Sequence, residues 1–213
     1  MTPTSSTATA VRAIIFDCDG VLFDSWRANV EYYNAVLAAL GRPPLDPEGE
    51  RLAHALSSPQ LFETLFAGDI ALIEQARTLA RDVDYGPFYR WMEPAPGLYQ
   101  LLAELKPHYH LAMATNRGIT LAGVMRYFEL APLLDIAVGI YDVPRPKPFP
   151  DMIEKCVQHF GIAPHEAVYV GDSLSELEAA RAAGTRFIAV GDLPGAPVRI
   201  EQLGELRAVL ATW

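Results

Sequence analysis

The chain reads as an α/β protein: a doubly wound parallel sheet interrupted once by a wholly helical insertion. Two observations carry that reading. Short apolar runs of strand length alternate with amphipathic stretches of helix length, the signature of parallel strands joined by helices. One interval of about 65 residues, 26–91, breaks the alternation and shows only helical periodicity.

Taken in order, the first apolar run is Ala13–Phe16, preceded by a small, polar tail over residues 1–10 that reads as disordered. The insertion follows, with amphipathic segments at Ala28–Leu40, Gln60–Phe66 and Ile70–Val83. The stretches "GRPPLDPEG" and "SSPQ" separate them, and "MEPAPG" forms the return linker. The core resumes with a helix over Gly97–Leu105 and a strand over His110–Ala114. A helix over Thr120–Phe128 and a strand over Ile136–Val138 come next. Helices at Asp151–Phe160 and Leu174–Ala183 then alternate with strands at Ala167–Val170 and Phe187–Val190. The expected organisation is therefore a catalytic core over 11–25 and 92–213, with the helical unit over 26–91.

Composition narrows the function. The 213 residues are 51% hydrophobic and 20% charged, enough for one sizeable core and too apolar for a disordered chain. A net charge of -9 argues against a nucleic-acid surface, which needs a basic patch. No apolar stretch approaches the roughly 20 residues of a membrane span, and the N-terminus lacks the apolar segment of a secretory signal. The two cysteines, Cys18 and Cys156, suggest no disulfide framework. A cytoplasmic setting is expected, with no nucleic acid and no membrane as partner. No sequence pattern separates a subunit interface from solvent-facing surface.

Polar residues collect after the strands. "DCDG" follows the first, "TNRG" the second and "GDSLSE" the fourth, while "RPKPFPD" lies in the connection after the third. Ligands of an open α/β sheet bind outside the carboxyl ends of its strands. Each motif alone has a plainer reading: Asp-x-Asp-Gly as a turn, "GDS" as a helix N-cap, Lys147 as a solvated loop residue. Their occurrence together, in this order, decides for a reaction centre.

On these motifs, standing as "FDCDGVLFDS", "ATN", "KPFPD" and "GDSLSE", the chain resembles the haloacid dehalogenase-like hydrolase superfamily. The resemblance is to its phosphoglycolate-phosphatase-like group with a helical cap, and covers Val11 to Val190. It implies a Rossmann-like core and a Mg²⁺-dependent phosphatase acting on a small phosphorylated metabolite. Asp17 is then the nucleophile that becomes an aspartyl-phosphate, and Asp19 the general acid/base, whose carboxyl must exchange a proton near working pH. Thr115 offers a hydroxyl and a backbone N–H to the phosphate, Asn116 a further donor, and Lys147 positive charge. Asp17, Asp172 and the main-chain carbonyl of Asp19 are the implied metal ligands. Glu176 stands where the family commonly has a second aspartate and is expected to hold a metal-bound water.

Several readings are weaker. A dehalogenase has no need of Asp19. A phosphonate-cleaving enzyme needs a cap lysine, and the lysines here are Lys106, Lys147 and Lys155. A sugar-phosphate mutase also uses two acids and stays open, as does a catalytically weak, phosphate-responsive binding or regulatory protein. Strand alternation turns Cys18 away from the acids towards the core. The five histidines show no ligand spacing. The cap aromatics Tyr32, Tyr33, Phe62 and Phe66 and the cap arginines read as packing and solvated-face residues.

Overall fold

The computed structural model describes residues 10–213. The expected disordered tail over 1–10 therefore lies outside the described residues, except for Ala10.

The main sheet begins with β1 (Ala13–Phe16). The chain then runs through β2 (Phe23–Asp24) into the insertion: α1 (Trp26–Ala39), α2 (Pro47–Ala55), α3 (Ser58–Leu65), α4 (Ile70–Asp82) and a 3₁₀ turn over Gly86–Trp91. It returns through β3 (Glu93–Pro94), which pairs antiparallel with β2, so the outgoing and returning chains form a short ribbon at the base of the insertion. The core continues with α5 (Leu98–Leu105), β4 (His110–Ala114), α6 (Leu121–Tyr127), β5 (Ile136–Val138) and α7 (Asp151–Phe160). It ends with β6 (Ala167–Gly171), α8 (Leu174–Ala183), β7 (Arg186–Val190), β8 (Arg199–Ile200) and α9 (Leu206–Leu210). The sheet order is β5-β4-β1-β6-β7-β8, and every pairing in it is parallel. Strands buried on both faces read as continuous apolar runs, as "AIIF" and "AVYVG" do.

The pleat sorts the side chains. Ile14, Phe16 and Cys18 join one apolar layer, shared with α5 and the insertion, while Ala13 and Ile15 join the layer under α7 and α8. Asp17 continues the parity of Ala13 and Ile15. Cys18 is fully buried on the opposite side, as strand alternation requires.

The insertion is tied together by aromatics. Tyr32 packs on Tyr33, Tyr85 and Phe88, and its hydroxyl donates to the Ala80 carbonyl. Tyr33 packs on Phe62, and Phe62 on Phe66. The helix α2 lies within the stretch read as a separator. Asp46 caps it, accepting from the Gly49 N–H at 2.7 Å, and Pro47 at its first position needs no hydrogen-bond partner there. Among the described residues no helix is long and apolar enough to cross a membrane.

Candidate active site

β1, β4 and β6 sit side by side at the centre of the sheet, so the residues that follow them converge at one edge. There a cavity of about 160 Å³ opens between core and insertion, lined from the core by Asp17, Asp19, Thr115, Asn116, Lys147, Asp172 and Glu176. All seven residues singled out in the sequence thus meet in one place.

Lys147 is the hub. Its ammonium lies 2.6 Å from Asp17 Oδ1, 2.6 Å from Glu176 Oε1 and 3.0 Å from the Tyr169 hydroxyl, so its three N–H bonds are all used. Tyr169 passes the chain on by donating to the Ala114 carbonyl at 2.7 Å. The bridge is buried: Lys147 and Glu176 are 3% exposed and Asp17 4%, so this is no surface ion pair. Burial tends to discharge Lys147, but the carboxylates of Asp17 and Glu176 outweigh it and hold the ammonium well above its ordinary range. Burial, and then the charge of Glu176, push the Asp17 carboxyl well up, against the pull of Lys147.

Glu176 occupies the first turn of α8. Its Oε2 accepts the backbone N–H groups of Asp172 at 2.8 Å and Ser173 at 3.2 Å. With Lys147 on Oε1, three donors already hold this carboxylate, so its placement suits orienting Lys147 and the Asp172 main chain. Carboxylate oxygens of Asp17, Asp172 and Glu176 lie within 4.8 Å of one another. Four carboxylates of the cavity face the two fixed cations Lys147 and Arg117, leaving an excess of two negative charges. An all-oxygen donor set with that excess fits a hard divalent cation such as Mg²⁺. The Asp19 carboxylate stands outside this cluster.

Asp172 can come this close because residue 20 has no side chain. Gly20 has φ +80, and a Cβ there would sit 1.9 Å from Asp172 Oδ2. Gly20→Ala is expected to displace the Asp172 carboxylate and lower kcat/KM at least about ten-fold, with a further strain of roughly 1–2 kcal/mol from the left-handed backbone. The check is a Mg²⁺ titration of activity, in which half-saturation should move to higher concentration.

Five residues that the sequence reading passed over complete the site. Arg117, 7% exposed, forks onto Asp19, with Nε 2.8 Å from Oδ2 and Nη2 2.5 Å from Oδ1. Ser25 and Asn29 also donate to Asp19 Oδ1. Burial raises the Asp19 carboxyl, but the Arg117 charge and these hydrogen bonds win and hold it at about 2. The fork therefore favours the ionised carboxylate, and Asp19 acts as an acid only in the state in which it has taken up a proton. His54, carried by α2, places Nε2 3.8 Å from Asp172 Oδ2, while its buried Nδ1 has no hydrogen-bond partner among the described residues. Tyr169 supports Lys147, as above. Tyr32 and Tyr33, besides packing, also line the cavity.

Two expected donors are otherwise engaged. The Thr115 backbone N–H continues the sheet by bonding Val138 O at 3.0 Å, so of its two expected donors only the hydroxyl is left to face the cavity. The Asn116 amide brackets the Lys147 main chain, accepting its N–H at 3.1 Å and facing its carbonyl at 3.4 Å. Asn116 thus fastens the β4 loop to the lysine loop. The cap arginines stay away from the cavity lining: Arg27 and Arg90 stack on Trp91, and Arg77 pairs with Glu63 and Glu74.

A doubly wound sheet, a helical insertion after its first strand and a buried Asp–Lys–acid cluster at the sheet edge define a phosphoryl-group hydrolase. The chain belongs to the haloacid dehalogenase-like hydrolase family, which it matches over residues 14–190, and it is a phosphatase of that family. It is 30% identical to a phosphoglycolate phosphatase of Pseudomonas putida, across 95% of this chain and 79% of that protein. A phosphoglycolate phosphatase of Chromobacterium violaceum is 31% identical, across 92% and 95%. Among solved structures, a subfamily IA, variant 1 hydrolase from Geobacter sulfurreducens superposes with a TM-score of 0.83 at 33% identity, covering 94% of this chain and 100% of that one. Haloacid dehalogenase-like hydrolases with the helical cap share this fold, and the insertion here is that cap.

Proposed function

We propose that the chain hydrolyses a small phosphomonoester in two steps, through a phosphorylated Asp17. The observation that carries this reading is the buried Lys147 bridge between Asp17 and Glu176, beside Asp172. A carboxylate oxygen of Asp17 attacks phosphorus, the bond from phosphorus to the ester oxygen breaks, and the alcohol leaves with the proton carried by the protonated form of Asp19, which becomes the carboxylate. Asp19 then takes a proton from water, whose oxygen attacks the phospho-aspartate and releases phosphate and Asp17. Asp17, Asp172 and the Asp19 carbonyl would hold a Mg²⁺, which would supply charge that offsets repulsion between the nucleophile and the phosphate.

The chain's own residues do the rest. The Lys147 ammonium holds Asp17 in place and faces the transferring phosphoryl group, and the Thr115 hydroxyl donates to it. Asp19 Oδ1 is saturated by Ser25, Asn29 and Arg117 Nη2, while Oδ2 accepts only Arg117 Nε, so Oδ2 is the atom that handles the proton. The helical cap over 26–91 bounds the cavity and excludes bulk water. Its modest volume and the named relatives make 2-phosphoglycolate the first substrate to assay, in a cytoplasmic setting.

The test is phosphate release from p-nitrophenyl phosphate and a panel of phosphorylated metabolites. Turnover is expected to disappear on dialysis against chelator and to return with Mg²⁺. Full turnover in metal-free buffer would overturn the metal assignment, and a single stable phosphorylation without turnover would favour a regulatory protein.

A further inference from the structure

Arg117 spans the boundary between core and cap. Its Nη2 reaches Asp19 Oδ1 at 2.5 Å, Asn29 Oδ1 at 3.2 Å and the Tyr85 hydroxyl at 3.3 Å, and its guanidinium lies 5.2 Å from the Tyr85 ring centroid. Tyr85 donates to Asn29 Oδ1 at 2.9 Å, and Asn29 Nδ2 donates to Asp19 Oδ1 at 3.2 Å. Asp19, Arg117, Tyr85 and Asn29 therefore close a hydrogen-bonded ring, two members from the core and two from the cap. Asn29 stands in the first turn of α1 and Tyr85 just before the 3₁₀ turn that leads back to β3, so the cap is gripped near both of its connections. The Arg117 backbone N–H also bonds the Thr115 hydroxyl at 3.2 Å, and Nη1 reaches Thr120 Oγ1 at 3.4 Å, which anchors the residue in the loop after β4.

We propose that Arg117 is a positioning residue whose guanidinium, shared between Asp19 and the cap residues Asn29 and Tyr85, aims Asp19 Oδ2 at the leaving group while the cap is docked. A forked guanidinium–carboxylate pair fixes a carboxylate in plane and direction, which a lysine at the same place does not. Small misplacements of a proton donor are costly to the step that needs it and of little account to one that does not. The inference rests on the reading of Asp19 as the acid.

Leaving-group basicity separates positioning from a general structural role. p-Nitrophenoxide departs without a proton, whereas phenoxide, far more basic, needs one. The measurement is kcat/KM for p-nitrophenyl phosphate and for phenyl phosphate with wild type, R117A, R117K and Y85F, each checked for folding by thermal melting. R117A is expected to widen the ratio of the two values at least about ten-fold, R117K to fall between, and Y85F to move it the same way about two- to three-fold. Among the described residues Tyr85 bonds Asn29 and Arg117 and makes no hydrogen bond to Asp19 itself, so its effect reads the cap coupling and keeps the test open even where R117A does not fold. Equal losses on both substrates in the arginine variants would overturn the positioning role, and an unchanged ratio in Y85F would overturn the coupling to the cap. Failure of the phosphatase mechanism itself would show separately, as turnover in D17N.

Discussion

Asp17→Asn is expected to lower turnover by a factor on the order of 10³ or more while the protein stays folded. The asparagine fills the same volume, and its carbonyl oxygen still accepts from the Lys147 ammonium, which sits 2.6 Å from Asp17 Oδ1 in the wild type. What is lost is the only property chemistry requires there, a charged oxygen able to bond phosphorus. The variant also removes one of two like charges that share a single buried lysine, so no large loss of stability follows. Acid-quenched samples incubated with radiolabelled substrate provide the second readout: covalent phosphoprotein in the wild type and none in D17N. A variant with a tenth of wild-type turnover, or one still labelled, would remove Asp17 from the role of nucleophile.

Most of the site was legible because it is built on short motifs attached to strands. "DCDG", "ATN", the lysine of "RPKPFPD" and "GDSLSE" follow strands whose apolar runs are unmistakable, and the parallel order of β4, β1 and β6 brings their ends together. Arg117 was harder. It stands in plain view in "TNRG", yet an arginine after a strand is ordinarily solvated, and only the burial of Asp19 beside it requires a countercharge. His54 was missed with its helix. The separator "GRPPLDPEG" ends in the first residues of α2, whose proline and glycine read as breakers, whereas Pro47 and Gly49 occupy its opening turn. The ribbon of β2 and β3 is two residues wide in each strand, too short for any periodicity to register. Backbone commitments were invisible for a different reason. That the Thr115 N–H belongs to Val138, and that the Asn116 amide belongs to Lys147, depends on register and loop path, which no local pattern encodes.

Lys147→Met tests whether the bridge serves folding, chemistry or both. Methionine keeps most of the apolar stem but leaves Asp17 and Glu176 facing each other without their shared cation, and leaves the Tyr169 hydroxyl without its donor. Removing one partner of a buried ion pair typically costs about 3–5 kcal/mol, because the remaining charge is stranded. The melting temperature in chelator is therefore expected to fall sharply. The deficit also has a definite pH dependence. The folded-state pKa of Asp17 is raised, so its contribution to stability is fully present below the ordinary carboxylate range and is lost as pH rises through the raised value. With Lys147 gone that loss deepens, and the gap between variant and wild type should widen with rising pH and narrow in acid. Adding Glu176→Gln to Lys147→Met removes the stranded like charge, and the double variant should recover much of the stability. It should not recover turnover, because the positive charge facing the phosphoryl group is still missing, a loss on the order of 10²–10³ in kcat. Stability regained without activity assigns Lys147 to both tasks, whereas activity regained together with stability would reduce it to a structural counter-ion.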